Sequence, residues 1–352
     1  MNYTQEYWDD VNSILDNIPQ LKNIYGKSIF ITGGTGMICS SVIDLLLYLN
    51  KKSNAKISII LGGRSLERTT KRFTGFAEGM DYKFVYYDAT KEMDLDINVD
   101  YIIHGASNAN PTVYSEEPVE TMLANLIGLN GLLEYAVKNQ VNRLLYISSS
   151  EIYGKKEENT PYKEDDYGFV DILNPRACYP NAKRAAETLC ISYSEEYCMD
   201  TVIVRPGHIY GPSITESDSR ASAQFTRDAV NGENIIMKSS GTQLRSYCYT
   251  LDCASAILTV LLNGESQNAY NISSENCIVS IRDMAEALAN AANTKVIFEN
   301  PSDIERKSYN LMSNSSLNGE KLQKLGWTAK FDIDQGTKKT VSLMRKEITN
   351  DF

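Results

Sequence analysis

Ser28-Ile29-Phe30-Ile31-Thr32-Gly33-Gly34-Thr35-Gly36-Met37-Ile38-Cys39 is the stretch on which the fold turns. Its first five residues are rich in β-branched and aromatic side chains and predict a strand buried on both faces. The glycines allow a tight turn, and apolar spacing over 37–50 predicts a helix. A strand, a glycine turn and a helix N-terminus form a cradle for a dinucleotide pyrophosphate. The turn admits close backbone approach, and the first helical amides have no partner within the helix. The cofactor candidates here are Gly33, Thr35, Gly36, Met37 and Ile38. Cys39 stands where another glycine is usual, and it is small enough for close helix packing.

Outward from this unit, apolar runs over 56–61, 83–87, 101–104, 143–148 and 201–205 predict further strands, with helical patterns over 116–139 and 177–198. Strands alternating with helices imply an α/β fold with a doubly wound parallel sheet covered on both faces. Upstream, Tyr7, Trp8, Val11, Ile14, Leu15 and Ile18 recur at helical spacing and predict one amphipathic helix reaching about residue 24. After Pro206 the rhythm changes to loops rich in Ser, Asn and Gly, with helices expected near 221–231, 253–262 and 281–292. The expected organisation is an N-terminal extension over 1–26, a dinucleotide-binding unit over 27–206 and a smaller C-terminal substrate lobe over 207–352, with segments free to cross back.

The 352 residues carry 35 Lys+Arg against 45 Asp+Glu, a formal charge of −10. That sign excludes a general affinity for nucleic acid or an anionic membrane surface, so an anionic substrate needs a local basic site. Seven cysteines include no C-x-x-C pair, and only two histidines are present. This predicts no metal site and no disulfide framework, and the thiols read as small core residues of a cytoplasmic protein. The opening residues carry Glu6, Asp9, Asp10 and Asp16 without a basic residue, unlike a signal or transit peptide. The apolar stretch over 42–49 contains Asp44 and is too short to span a bilayer.

The chemistry is carried by Tyr179-Pro180-Asn181-Ala182-Lys183 and by the strand end Ser148-Ser149-Ser150-Glu151-Ile152-Tyr153-Gly154. Tyr179 and Lys183, four apart, share a helix face. A phenol titrates near ~10, and lowering it by about three units takes roughly 4 kcal/mol of differential stabilisation. An adjacent ammonium and a cationic nicotinamide are the expected sources. Tyr179 then removes a proton from a sugar hydroxyl while Ser149 bonds the same oxygen.

With these motifs the chain resembles the extended short-chain dehydrogenases/reductases, in the NAD-dependent epimerase/dehydratase branch that modifies nucleotide sugars. The likeness runs from Lys27 to about Arg345. It includes His104-Gly105-Ala106-Ser107, Tyr114, Pro118, Asn125, Gly128, the Arg205-Pro206-Gly207-His208-Ile209-Tyr210-Gly211-Pro212 run and a terminal Leu325-Gly326-Trp327. Within the branch, Asn174-Pro175-Arg176-Ala177-Cys178-Tyr179, the run from Lys183 to Thr188 and Asp218-Ser219-Arg220 are similar to UDP-glucuronate decarboxylases. The resemblance implies a Rossmann-type sheet, a homodimer through the two long helices, NAD or NADP as cofactor and a nucleotide-sugar substrate. It implies catalytic roles for Ser149, Glu151, Tyr179 and Lys183. It places Asp88, Ala106 and Asn125 at the cofactor beside Tyr179 and Lys183, and Ser107, Ser150, Arg176, His208, Arg220 and Arg245 at the substrate. Arg245 matches an arginine that binds the nucleotide diphosphate; the alternative is an ordinary surface arginine.

The sequence also departs from the family pattern. His208 replaces an asparagine, Ser213 an arginine and Gln224 another asparagine. The second strand ends Leu61-Gly62-Gly63-Arg64-Ser65, without the acidic residue that bonds the ribose of NAD. Arg64, with Arg68 nearby, suits the 2′-phosphate of NADP and favours it over NAD. A second reading therefore stays open, an NADPH-dependent reductase of a nucleotide-linked keto sugar or ketose. A third, from another class, is a non-catalytic NADP-binding module, against which the retained Tyr179 and Lys183 count.

Overall fold

The computed structural model describes residues 3–74, 81–91, 95–107, 109–216, 218–300 and 313–350. Its centre is a seven-stranded parallel sheet. The strands are β1 (Ser28–Thr32), β2 (Ser58–Gly63), β3 (Lys83–Tyr86), β4 (Tyr101–His104), β5 (Arg143–Ile147), β6 (Thr201–Pro206) and Asn268–Ile272, in the spatial order Asn268–Ile272, β6, β5, β4, β1, β2, β3. Chain order reverses between β1 and β4, which opens a crevice beyond the strand ends at the Gly33 turn. Alternate side chains feed two cores, as the two-residue period of a strand requires. Ile29, Ile31, Ile103, Leu145, Val202 and Val204 face one layer, while Phe30, Ile102, Leu144, Tyr146 and Ile203 face the other. Each buried aliphatic side chain is worth roughly 1.5–3 kcal/mol.

Helix α1 spans Gln5–Leu15, α2 spans Met37–Ser53, α3 spans Leu66–Arg72, α4 spans Pro111–Glu116, α5 spans Pro118–Lys138 and α6 spans Cys178–Tyr197. On one face of the sheet α2 packs with Thr250–Asn263, and α1 docks on both; on the other, α5 packs with α6. The second strand starts two residues later than expected, because Asn54 and Lys56 take left-handed backbone and Asn50 bridges both backbone groups of Ile57. The N-terminal expectation needs a larger correction. Apolar spacing continues to Ile24, but α1 stops at Leu15, Pro19 and the left-handed Gln20 break the chain, and a short 3-10 turn covers Leu21–Ile24. Ile18 and Ile24 are still buried, so the spacing reported burial and not a continuous helix.

Residues 250–272 return to the sheet as one helix and one strand. The remainder of the C-terminal half builds a small second sheet, in which β7 (His208–Tyr210) runs parallel to Leu244–Tyr249 and Ile278–Ser280 pairs antiparallel with the same strand. The helices Ala221–Asn231, Ile281–Ala292 and Ile333–Asn350 pack together beside it. Trp327 is fully buried and donates its indole N–H to Ser255 Oγ at 2.9 Å, which ties the terminal turn to the helix beneath the main sheet.

Candidate active site

At the crevice Gly33 has φ +72°, and a Cβ there would lie 2.7 Å from the Gly105 backbone. A Cβ on Gly105 would in turn meet Cys39 Sγ at 2.4 Å. The cysteine at the third small position is thus accommodated by a glycine on the facing strand end. Gly36 caps α2, and the loop after β7 reaches this turn through Ser213, which donates to the Met37 carbonyl at 3.2 Å. Thr32 Oγ1 accepts from the amides of Gly105 and Ala106, both at 3.2 Å, and lies 2.7 Å from His104 Nδ1. The Thr32 hydroxyl therefore donates its proton to Nδ1, which leaves the imidazole proton on Nε2, a buried atom without a protein partner. Burial, then the charge of Lys183, push the His104 pKa down to about 3.

Tyr179 and Lys183 stand one turn apart on α6, both buried. Lys183 Nζ donates to the Ile147 carbonyl at 2.8 Å and lies over the Tyr146 ring at 4.6 Å and the Tyr179 ring at 5.8 Å. Burial lowers the Lys183 pKa to about 7, against the opposing pull of Glu187, so near neutral pH it is charged only in part. Burial and then Glu151 hold the Tyr179 phenol well above its ordinary range, while a hydrogen bond with Ser149 works in the other direction. The expectation that the ammonium lowers this phenol is therefore not met by the protein alone. Burial and Glu151 outweigh the lowering by Ser149 and Arg220.

Ser149 caps the 3-10 turn Ser150–Tyr153, with Oγ 3.2 Å from the Glu151 amide. Glu151 is held from two sides, by the Tyr114 hydroxyl at 3.3 Å and by Arg176 Nη1 at 3.4 Å. The Tyr114 ring stacks on Tyr179, centroids 5.2 Å apart and 10° from parallel, with the Arg176 guanidinium 5.1 Å from the Tyr114 centroid. A carboxylate, a phenol and a guanidinium are thus assembled around the Tyr114 ring. On the second sheet His208 pairs in register with Tyr247, their rings 5.7 Å apart, and Arg245 is two residues away. Arg245 is 3% exposed, so the alternative of a surface arginine fails; its Nη1 donates to the Leu244 carbonyl at 2.7 Å. Arg220 grips Asp218 with contacts of 2.6 to 3.1 Å, and its charge acts on Tyr179, His208 and Tyr247.

A model of the NAD dependent epimerase/dehydratase family matches residues 29–273. The chain belongs to that family. It is 29% identical over 325 residues to UDP-glucuronic acid decarboxylase 1 of Xenopus tropicalis, covering 92% of this chain and 73% of the relative. It is 29% identical over 311 residues to UDP-glucuronic acid decarboxylase 5 of Arabidopsis thaliana, covering 88% and 86%. The crystal structure of UDP-glucose 4-epimerase from Thermotoga maritima superimposes with a TM-score of 0.75 at 22% identity, covering 91% of this chain and 99% of that one.

The residues present fit the family's dinucleotide. At the ends of the central strands, His104 Nε2, Ser107 Oγ and Ser148 Oγ are buried polar atoms without protein partners. A nicotinamide held here would supply hydride transfer and, when oxidised, a positive charge beside the phenol. In this family member Arg64 is exposed just beyond β2. Burial raises the Asp88 pKa, but Thr90, Lys91 and Arg64 together bring it below the usual carboxylate range. Arg64 and Asp88 follow the ends of the neighbouring strands β2 and β3, which pair Gly63 with Tyr86. Asn125 lies behind Tyr146. It is fully buried, donates to the Thr121 carbonyl at 2.8 Å and accepts from the Tyr146 hydroxyl at 3.3 Å, so it supports the ring beneath Lys183.

Sequence reasoning did not select Thr32, Tyr114, Tyr146 or Asp218 as site residues. Tyr114 and His104 had been noted in the family motifs, which was a usable signal. The role of Tyr146 comes from contacts across the fold, while Asp218, quoted in the same run as Arg220, holds that arginine two residues away. His104 and His208 also make a stability prediction. Burial first, and neighbouring cations second, hold each near 3 against an ordinary 6.5. Between those values the unfolded chain binds protons that the folded chain does not, so stability falls as pH drops through that window. Thermal unfolding followed by circular dichroism should show a falling midpoint on acidification below 6.5, with a shallower slope in His208→Asn.

Proposed function

We propose that the chain is a nucleotide-sugar decarboxylase that works by hydride transfer between NAD(P) and a sugar carbon. Tyr179 takes the proton of the reacting hydroxyl, Ser149 orients that oxygen and Lys183 sits beneath the phenol as its charge partner. Glu151 serves the second half of the reaction. The observation that carries this reading is the placement of Glu151, tied to Tyr114 and Arg176, beside the Ser149 and Tyr179 pair. The names of the relatives from Xenopus tropicalis and Arabidopsis thaliana support the same chemistry. Arg245 and Arg220, with the neutral His208 beside them, form the local basic site that an anionic substrate needs on an acidic protein. Mass spectrometry of products from a panel of nucleotide sugars tests it. Loss of one carbon dioxide supports decarboxylation; an unchanged mass would instead mean epimerisation, loss of water dehydration and a gain of two hydrogens net reduction.

Arg64 supports the second reading, a reductase drawing on NADPH, and favours NADP over NAD in either case. Arg64→Asp should weaken NADPH binding by about ten- to a hundredfold, the worth of a lost charge-assisted hydrogen bond, and improve NADH binding. Fluorescence titration with both cofactors checks this, and equal NADPH affinity in wild type and variant would remove Arg64 from the site. We place the protein in the cytoplasm, in keeping with seven unpaired cysteines, and no described helix is long and apolar enough to cross a membrane. We also propose a homodimer through α5, whose Val119, Met122, Leu123 and Ile127 form an exposed apolar stripe at helical spacing.

A further inference from the structure

The family match begins at residue 29, so α1 and the residues before it lie outside the shared unit. They nevertheless reach the cofactor edge through a buried polar cluster. Asp44, on α2, is fully buried, and an isolated carboxylate there would be costly. It accepts from the Tyr7 hydroxyl at 2.6 Å, from the Tyr3 hydroxyl at 3.0 Å and from Arg72 Nη2 at 3.2 Å. Arg72 Nη1 also donates to the Tyr3 hydroxyl. Stacking fixes Tyr3 in turn, because its ring lies 5.1 Å from Trp8, which lies 5.5 Å from Tyr48 on α2. Burial holds the Tyr7 phenol well above its ordinary range, so it remains a donor.

Arg72 is the last residue of α3, and Arg64 and the capping Ser65 immediately precede that helix. Seven residues make too short a helix to hold itself in place. Leu66, Glu67 and Arg68 are exposed, Thr69 is buried and Arg72 is caught by Asp44 and Tyr3. The far end of α3 is therefore anchored by the N-terminal segment while its near end carries the cofactor-facing arginine. We propose that Tyr3 and Tyr7, acting through Asp44 and Arg72, form a clamp that positions Arg64 for the ribose side of the dinucleotide. These are positioning residues, and the inference rests on Arg64 facing the cofactor.

The test uses the full-length chain carrying Tyr3→Phe, Tyr7→Phe or both, with each also made in an Arg64→Ala background. NADPH and UDP binding are measured separately by calorimetry. The double phenylalanine variant should bind NADPH about tenfold more weakly, with UDP affinity unchanged. In the Arg64→Ala background that loss should disappear, the non-additivity expected of coupled residues. Tyr3→Phe, which removes the more peripheral phenol, serves if the double variant does not fold, with a smaller loss in the same direction. Unchanged NADPH affinity in a folded variant, a parallel loss of UDP affinity, or an undiminished effect without Arg64 would each overturn the clamp. Failure of the wild-type chain to bind any dinucleotide would instead sink the cofactor reading, and the clamp with it.

Discussion

Tyr179→Phe should lose turnover by about a hundred- to ten-thousandfold, the usual contribution of a positioned acid or base, while keeping its affinity for NADPH and UDP. The variant removes one oxygen and little else. The phenyl ring remains in the stack with Tyr114, whose centroid lies 5.2 Å away, and Lys183 keeps its 2.8 Å bond to the Ile147 carbonyl. What disappears is the proton acceptor beside Ser149. In the protein alone that acceptor is poorly prepared, since burial raises the phenol and brings Lys183 down to about 7. The account therefore requires bound cofactor to charge the pocket, and the activity of the wild type should rise with pH as the phenol ionises. Steady-state kinetics across pH, with calorimetry for binding, checks both parts. Full activity in Tyr179→Phe would show that another group is the base.

Glu151→Gln should lose about a hundredfold or more in product formation, again the scale of a single acid or base, but should still form reduced nicotinamide after substrate is added. The substitution is nearly isosteric and leaves an oxygen for the Tyr114 hydroxyl, which now sits 3.3 Å from the carboxylate. It removes the charge that faces Arg176 at 3.4 Å. If Glu151 serves only the step after oxidation, the oxidised sugar should accumulate in this variant. Rapid-mixing absorbance paired with mass spectrometry separates the two steps. Product release at the wild-type rate would leave Glu151 with a structural role and remove the strongest argument for decarboxylation.

Much of the fold was legible because its signals are local. The β1 run, the Gly33 turn and the pair Tyr179 and Lys183 are each set by a few consecutive residues with a clear period. One failure was local: apolar spacing through Ile24 masked the break that Pro19 signals, because both pieces bury the same kind of residue. The others occurred where long-range contacts decide. The pairing of Asn268–Ile272 with β6 has no local signature. Asn125 is a mixed case: the motif marks the residue, while its contacts with Thr121 and Tyr146 are set by the fold.

The central claim is that a sugar carbon and a nicotinamide exchange hydride at Tyr179. It is tested most directly by rapid mixing, reading the transient near-ultraviolet absorbance of reduced nicotinamide within the first turnover when UDP, dTDP, GDP and CDP sugars meet purified protein and either cofactor, in the wild type and in Glu151→Gln, where the oxidised sugar should accumulate. The account predicts an absorbance change with at least one donor and its loss in Tyr179→Phe. No change with any donor even in Glu151→Gln, or an identical change in wild type and Tyr179→Phe, would contradict it.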